Sequence, residues 1–177
     1  SKELSLLAEI VNTSAQDQNI TGIQATIKLT DGSSREFAGD DVYWPTRDAE
    51  FDSGLAPNTR MPIEITINNI GDGVGVAEIT WRVVANAGGS IGRKDLVTEM
   101  ITTSERNGQL CAYYRLTVPP PVLTQGVVVS FWAFDEAGRI VGLNHNFAAV
   151  SSGQKTICVP VLSGEVVHTT SLAVWGQ

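Results

Sequence analysis

Apolar and polar residues alternate along most of this 177-residue chain, and that period of two is the feature that most constrains its fold. In the segment 60–68, Met61, Ile63, Ile65 and Ile67 fall on one side of an extended backbone. Turn-forming residues bound nine such segments: 4–11, 22–30, 60–68, 75–85, 109–118, 126–135, 139–148, 155–162 and 170–176. Short strands at this spacing predict an all-β protein of the sandwich type. Only the segment 92–105 suits a helix, and its Thr and Ile residues suit a strand equally well.

The order of landmarks repeats within the chain. When Asp31 is laid over Asp135, Gly22 falls on Gly126, and residues 55–67 align with 150–162 without a gap. The distance from the aspartate to the start of that aligned block is 24 residues in the first copy and 15 in the second, which indicates an insertion at 40–52. The sequence therefore predicts two β-sandwich domains, at 1–88 (with the inserted loop 40–52) and at 89–177, joined by the glycine-rich segment 86–92.

Several short motifs occur in the two copies. The chain reads "FWAFD" at 131–135, a degenerate "IKLTD" at 27–31, "AEIVNTS" at 8–14, "DEAG" at 135–138, "LAPNT" at 55–59 and "VSSGQ" at 150–154. These motifs resemble those of the FxLYD domains, which are small Ig-like modules of bacterial and archaeal surface proteins. The first copy lacks the aromatic residues, Asn58 stands where glycine is usual, and the second copy has no N-T-S. The resemblance implies two tandem Ig-like antiparallel β-sandwiches in a non-catalytic, extracytoplasmic protein.

These motifs have a physical meaning for folding. An aspartate at a hairpin turn can accept the backbone N–H two residues further on, and this bond starts the chain reversal. Glycine or asparagine supplies the positive φ that the turn needs. The tripeptides 12–14 and 19–21 also match the acceptor pattern for N-linked glycosylation.

The two cysteines, Cys111 and Cys158, replace the apolar residues Leu7 and Ile63 of the other copy, so we expect both to point into the core. If their strands are neighbours, a disulfide would join them and stabilise the second domain by roughly 4 kcal/mol. The alternative is a pair of separate buried thiols. An even number of cysteines in an exported protein favours the bridge, and two cysteines this far apart do not suit a metal site.

The charge of the chain limits its partners. The formal net charge of −7 disfavours nucleic acid, and no apolar run is long enough to span a bilayer. No secretory signal is recognisable at residues 1–11, so an exported chain would be a mature form or a fragment. The insertion carries acidic side chains that either form a solvated loop or hold calcium: Asp40, Asp41, Asp48, Glu50 and Asp52.

Two tryptophans are candidates for contact with a partner or a glycan. Trp44 lies in the inserted loop, where it either anchors a ligand or folds back over the sandwich edge. Trp132 alternates with Phe131 and Phe134, and we expect it to face outward. Trp81 and Trp175 occupy matching places in the two copies, and we expect both in the core.

We find no catalytic set in the sequence. His145 and His168 are single residues without a partnered nucleophile, no pair of carboxylates has supporting context, and no glycine loop suits a phosphate. The sequence thus predicts neither a cofactor nor an enzyme. The expected location is extracellular or in the cell envelope.

Three functions follow as expectations. The first is a structural or protein-interaction module of the cell surface, with protein partners or self-association. The second is a filament subunit whose N-terminal segment is donated to a neighbour, with Leu4, Leu6, Ala8 and Ile10 as the donated side chains. The third is a carbohydrate-binding module that uses Trp44 or Trp132 as its platform.

Overall fold

A computed structural model describes residues 2–45, 47, 54–88, 97–117, 126–149, 153–161, 165–166 and 168–175. The regular structure in these residues is antiparallel β-sheet, apart from one 3-10 turn at Gly39–Asp41. The first half contains seven strands: β1 (Lys2–Val11), β2 (Gln18–Leu29), β3 (Ser34–Ala38), β4 (Val42–Tyr43), β5 (Gly54–Leu55), β6 (Arg60–Ile70) and β7 (Val76–Ala87). The second half contains six: β8 (Val97–Arg106), β9 (Gln109–Thr117), β10 (Gly126–Phe134), β11 (Ile140–Ala149), β12 (Gly153–Pro160) and β13 (His168–Trp175).

The strands form four small sheets. Sheet A has the order β1-β6-β4, and in sheet B the strand β2 pairs with β3, β5 and β7. Sheet C has the order β12-β9-β8, and sheet D has the order β11-β10-β13. The prediction of an all-β chain of antiparallel strands is confirmed.

One pairing scheme occurs in both halves. β1 pairs with β6 as β9 pairs with β12, and β2 pairs with β3 and β7 as β10 pairs with β11 and β13. The strand β8 is an addition of the second half, where it pairs with the free side of β9. The repeated order of sequence landmarks therefore corresponds to a repeated order of strand pairing.

Two hydrophobic cores fill the spaces between the sheets. In β6, Met61, Ile63, Ile65 and Ile67 alternate with more exposed residues and are at most 2% exposed. They pack with sheet B in the first core, and burial of each such side chain contributes about 1.5–3 kcal/mol. The second core lies between sheets C and D, and Phe131 is buried there.

The sequence did not predict three short strands, and it left the secondary structure of one segment undecided. The segment 92–105 is a strand over its described part, where β8 begins at Val97. β3, β4 and β5 were not predicted, because they have only five, two and two residues and carry too few alternations to register. Within the predicted linker 86–92, β7 continues to Ala87, and residues 89–92 lie outside the described residues.

The two aspartates lie in corresponding hairpins but at different positions of the turn. In β2–β3, Leu29 accepts the N–H of Gly32 (3.0 Å) and Asp31 accepts the N–H of Ser33 (2.9 Å), two residues on. In β10–β11, Asp135 itself takes the place of Leu29, since its carbonyl accepts the N–H of Gly138 (3.0 Å). The register that laid Asp31 over Asp135 is therefore wrong by two residues at this turn.

Glycine is what the two turns share in space. Gly32 and Gly138 have φ of 87° and 74°, and each directly precedes the residue that closes its hairpin. Only glycine adopts this left-handed conformation without steric cost. The backbone geometry therefore matches Gly32 with Gly138, whereas the sequence register matched Asp31 with Asp135.

Candidate functional site

Trp132 lies at a junction between the two halves. Its side chain is 1% exposed, so the expectation that it faces outward is wrong. It does point away from the second core, but it packs into the first core with Phe134 and Leu143. The outer face of sheet D is therefore covered by the first half of the chain, which local alternation could not reveal.

Glu9 connects the halves by hydrogen bonds. The indole Nε1–H of Trp132 donates to Glu9 Oε1 at 2.6 Å, and Arg60 Nη1 donates to Glu9 Oε2 at 2.9 Å. The Glu9 side chain is 13% exposed. A carboxylate in such a place is stable when charged donors and N–H groups satisfy its oxygens, and Glu9 has one of each.

An aromatic stack lies at the same junction. The rings of Tyr43 in β4 and His145 in β11 are stacked, with centroids 3.8 Å apart and planes at 19°. The Arg47 guanidinium carbon lies 5.9 Å from the Tyr43 ring centroid, and Arg47 Nη1 is 3.8 Å from Asp40 Oδ1. The stack brings together residues about one hundred positions apart, so it contributes to the packing of one half on the other.

These residues surround an open cleft of about 440 Å³, which we call the junction cleft. Its walls are polar or charged, and most of them come from the first half: Asp40, Asp41, Tyr43, Arg47, Glu64, Thr66, Asn68 and His145. Glu64, Thr66 and Asn68 lie on the face of β6 that points away from the first core.

Burial shifts the pKa of two side chains in the junction cleft, Glu64 and His145. Burial raises the pKa of the Glu64 carboxyl, and the negative charge of Glu3 raises it further. Burial lowers the pKa of the His145 imidazole, whose Nδ1 is buried and has no hydrogen-bond partner in the described part of the chain. Both shifts favour uncharged side chains, as is expected where two protein surfaces pack together.

The junction cleft offers acid–base groups but no assembled catalytic set. Glu64 and His145 could each exchange a proton, yet the described residues that line the cleft include no serine or cysteine nucleophile. The described residues contain no group of three or more His, Cys, Asp or Glu side chains placed to hold a metal ion. Asp40 and Asp41 lie on the 3-10 turn, and the other candidate calcium ligands, Asp48, Glu50 and Asp52, lie outside the described residues.

Cys111 and Cys158 form a disulfide, as predicted. They lie directly opposite each other on β9 and β12. Ile157 and Val159 flank Cys158 and point into the second core, so alternation places the bridge on the other face of sheet C. The expectation that both cysteines point into that core is wrong. The alignment of Cys158 with Ile63 is shifted by one residue, because the structure pairs Leu7 with Glu64, and these two residues lie on the opposite face of sheet A from Ile63.

The predicted aromatic contacts are buried. Trp44 is 4% exposed and lies in the first core, where its Nε1 has no hydrogen-bond partner among the described residues. Neither Trp44 nor Trp132 presents an exposed ring to a sugar in this structure. Trp81 packs partly buried against the first core, while the side chains of His168 and Trp175 lie outside the described residues.

The four strand-donation candidates pair within their own chain. β1 runs antiparallel to β6, with Leu6 opposite Ile65 and Ala8 opposite Ile63. Leu4, Leu6, Ala8 and Ile10 pack partly buried against the first core. On the other side of β1, no described strand pairs with it.

Asn12, the first residue of the N-T-S motif, is the centre of a hydrogen-bond network that the sequence did not predict. It is 5% exposed, and its Nδ2 donates to the carbonyl oxygens of Leu55 (2.6 Å) and Gln16 (2.8 Å). Its Oδ1 accepts the backbone N–H (3.0 Å) and the hydroxyl (2.8 Å) of Ser14. The N-T-S motif thus fixes the crossing from β1 in sheet A to β2 in sheet B, and the amide nitrogen that a glycan would require is buried.

The structure and the comparisons with known proteins add the following. Among the described residues, no helix has the length and apolar character needed to cross a membrane. The disulfide is consistent with an oxidising compartment of the extracellular kind. No protein-family model matches the chain. No curated protein matches it either, so the FxLYD resemblance stays a prediction.

Proposed function

We propose that this chain is a non-catalytic structural or protein-interaction module of two tandem Ig-like sandwiches that works outside the cytoplasm or in the cell envelope. The proposal rests on the observation that several polar side chains of the chain make hydrogen bonds within the fold. Asn12, Asp31 and Asp135 hold turns and crossings, and Glu9 holds the junction. Side chains whose polar atoms are hydrogen-bonded within the fold serve the structure and are not available as catalytic groups.

The repeated strand pairing supports the same proposal. A duplicated sheet unit provides a framework of paired strands, which a scaffold needs, and the cross-strand disulfide suits an oxidising location. The net charge of −7 favours solubility and disfavours anionic partners. Protein partners and self-association therefore fit better than nucleic acid.

A turnover test challenges the proposal directly. Purified protein would be assayed on chromogenic esters, amides, glycosides and phosphate esters, beside Glu64→Gln and His145→Asn variants, which remove the acid–base groups of the junction cleft. We expect wild type and both variants to give the same background rate. Turnover by the wild type that either variant abolishes would contradict a non-catalytic role.

Thiol trapping tests the proposed location. Protein from its native source would be alkylated during lysis and analysed by mass spectrometry. We expect Cys111 and Cys158 to escape alkylation because they are bridged. Full alkylation of both would place the chain in a reducing compartment and contradict this part of the proposal.

A further inference from the structure

One long edge of the first half, that of β1, has no described strand paired along it, although β11 of the second half contacts β1. β1 pairs with β6 on one side, and no described strand occupies its other side. From Leu4 to Val11 its pairing is regular, without a bulge, and it contains no proline. Edge strands of natural proteins often carry a bulge or a proline, because an unpaired row of backbone N–H and C=O groups pairs readily with another chain.

The second half shows what this position can accept. β9 corresponds to β1 in its pairing, and β8 occupies its other side from Val97 to Arg106. β8 also contacts β13, the counterpart of β7. The place beside β1 therefore lies on the same side of the fold as β7, and within the described residues the first half has no strand there.

Exposed apolar side chains border that place. The large hydrophobic side chains that are exposed in the described residues are Val11, Val83 and Val84, at 40%, 42% and 41%. All three lie on β1 and β7. Val83 lies opposite the buried Ile23 and so on the core face of sheet B, yet it is exposed, and no described strand pairs with this side of β7.

We propose that the first half self-associates through this edge, with β1 of one copy antiparallel to β1 of a second copy across a twofold axis. The two copies of sheet A then form one continuous sheet, and their β7 edges, with Val83 and Val84, come to lie side by side. This proposal rests on the proposed function and specifies one partner for it, a second copy of the chain.

The charges of β1 select the register of this pairing. With both core faces on the same side, centring on Leu7 pairs residues 3–11, which places Leu4 opposite Ile10 and Glu3 opposite Val11. Centring on Leu6 pairs residues 2–10 and places Glu3 opposite Glu9, where like charges repel. The Leu7-centred register covers Val11 and brings no two like charges opposite each other.

Sedimentation equilibrium from about 1 μM to about 1 mM tests the association. We expect a monomer–dimer equilibrium in wild type, and we expect Val83→Lys to weaken it at least about tenfold, because it places a charged side chain from each copy where the two β7 edges meet. Gln154→Lys adds the same charge at an exposed position of β12, an edge strand of the second half, and should leave the equilibrium unchanged. Circular dichroism of each variant checks that it is folded.

A pair of substitutions at Val11 tests the register. Val11→Glu would face Glu3 of the second copy and should weaken the dimer about tenfold or more, whereas Val11→Lys should keep or strengthen it. Equal effects would overturn the Leu7-centred register. A wild type that stays monomeric at about 1 mM, or a dimer that Val83→Lys does not weaken, would overturn self-association through this edge. Neither result touches the proposed module function, which depends on the turnover test.

Discussion

Asn12 shows how one buried polar residue can decide a chain crossing. Its side chain makes four hydrogen bonds within the loop between β1 and β2 and to the carbonyl of Leu55. Each bonded group would otherwise be a buried or half-buried polar atom without water. At the scale of residues, the motif that looks like a glycosylation signal works as a structural clip.

Replacing Asn12 should therefore be costly. Asn12→Ala leaves the carbonyl oxygens of Leu55 and Gln16 without their donor, and we expect the free energy of unfolding to fall by about 2–4 kcal/mol. Urea denaturation followed by tryptophan fluorescence measures it. Thr13→Ala, at the exposed neighbouring position, is the matched control and should cost less than about 0.5 kcal/mol. Equal stability of the two variants would show that the clip is dispensable.

Asp135 predicts a dependence of stability on pH. The backbone N–H and the guanidinium of Arg139 both donate to its carboxylate, and these bonds hold its pKa below the ordinary value. A lowered folded-state pKa contributes stability that is present above the unfolded value of about 3.9 and is lost as the pH falls through the folded value.

The variant Asp135→Asn should remove that contribution. We expect its urea midpoint to fall less than that of wild type between neutral pH and about pH 3. Glu136→Gln, which removes an exposed carboxylate from the same turn, is the control and should retain the wild-type fall. An unchanged fall in Asp135→Asn would mean that this carboxylate does not couple to folding.

Among the elements, period-two alternation predicted long strands such as β2, β6 and β9 because each of these has one face in a core. Alternation could not predict β3, because this strand has only five residues and one of its half-buried positions is a charged residue, Arg35. The Arg35 guanidinium donates to the backbone carbonyl oxygens of Asn68 and Asn69. The bridge between Cys111 and Cys158 was predicted from cysteine number, but its face was not, because a shift of one residue moves a side chain to the other side of a sheet.

Close packing between β11 and β12 gives an element-scale prediction. A Cβ added at Gly142 would lie 2.8 Å from the carbonyl oxygen of Pro160 and 3.2 Å from Val159 Cγ2. The backbone atom cannot rotate away, so we expect Gly142→Ala to destabilise the fold by about 1–3 kcal/mol. Gly22→Ala is the control, since its nearest atom is Val84 Cβ at 3.9 Å. A thermal melt in which both variants match wild type would contradict the close approach.

The disulfide gives the second element-scale prediction. It joins β9 to β12 across a sequence separation of 47 residues. The double variant Cys111→Ala, Cys158→Ala should lose about 2–4 kcal/mol of stability, because the unfolded chain regains the entropy of an open loop. Adding a reductant should lower the stability of wild type to a similar extent and leave that of the double variant unchanged. A reductant effect on the double variant would point to another cause.

At the scale of the whole molecule, the two halves contact each other through residues that no local sequence pattern predicts to be close. Trp132 reads as an outward residue of β10 in sequence, and it is buried only because the first half covers it. Tyr43 and His145 show no relation in sequence, yet their rings stack. Long-range packing depends on which faces are left over after each half has formed its own core, and that is why the junction cleft could not be predicted.

The central claim is that two halves with one strand-pairing scheme pack face to face through Glu9, Tyr43, Trp132 and His145. Nuclear Overhauser spectroscopy of the labelled protein in solution tests it most directly. We predict cross-peaks between the ring protons of Tyr43 and His145, whose centroids are 3.8 Å apart. We also predict cross-peaks from the Trp132 indole N–H to the side chain of Glu9, since the indole nitrogen lies 2.6 Å from Glu9 Oε1. Absence of both sets, in spectra that show the contacts within each sheet, would contradict the claim.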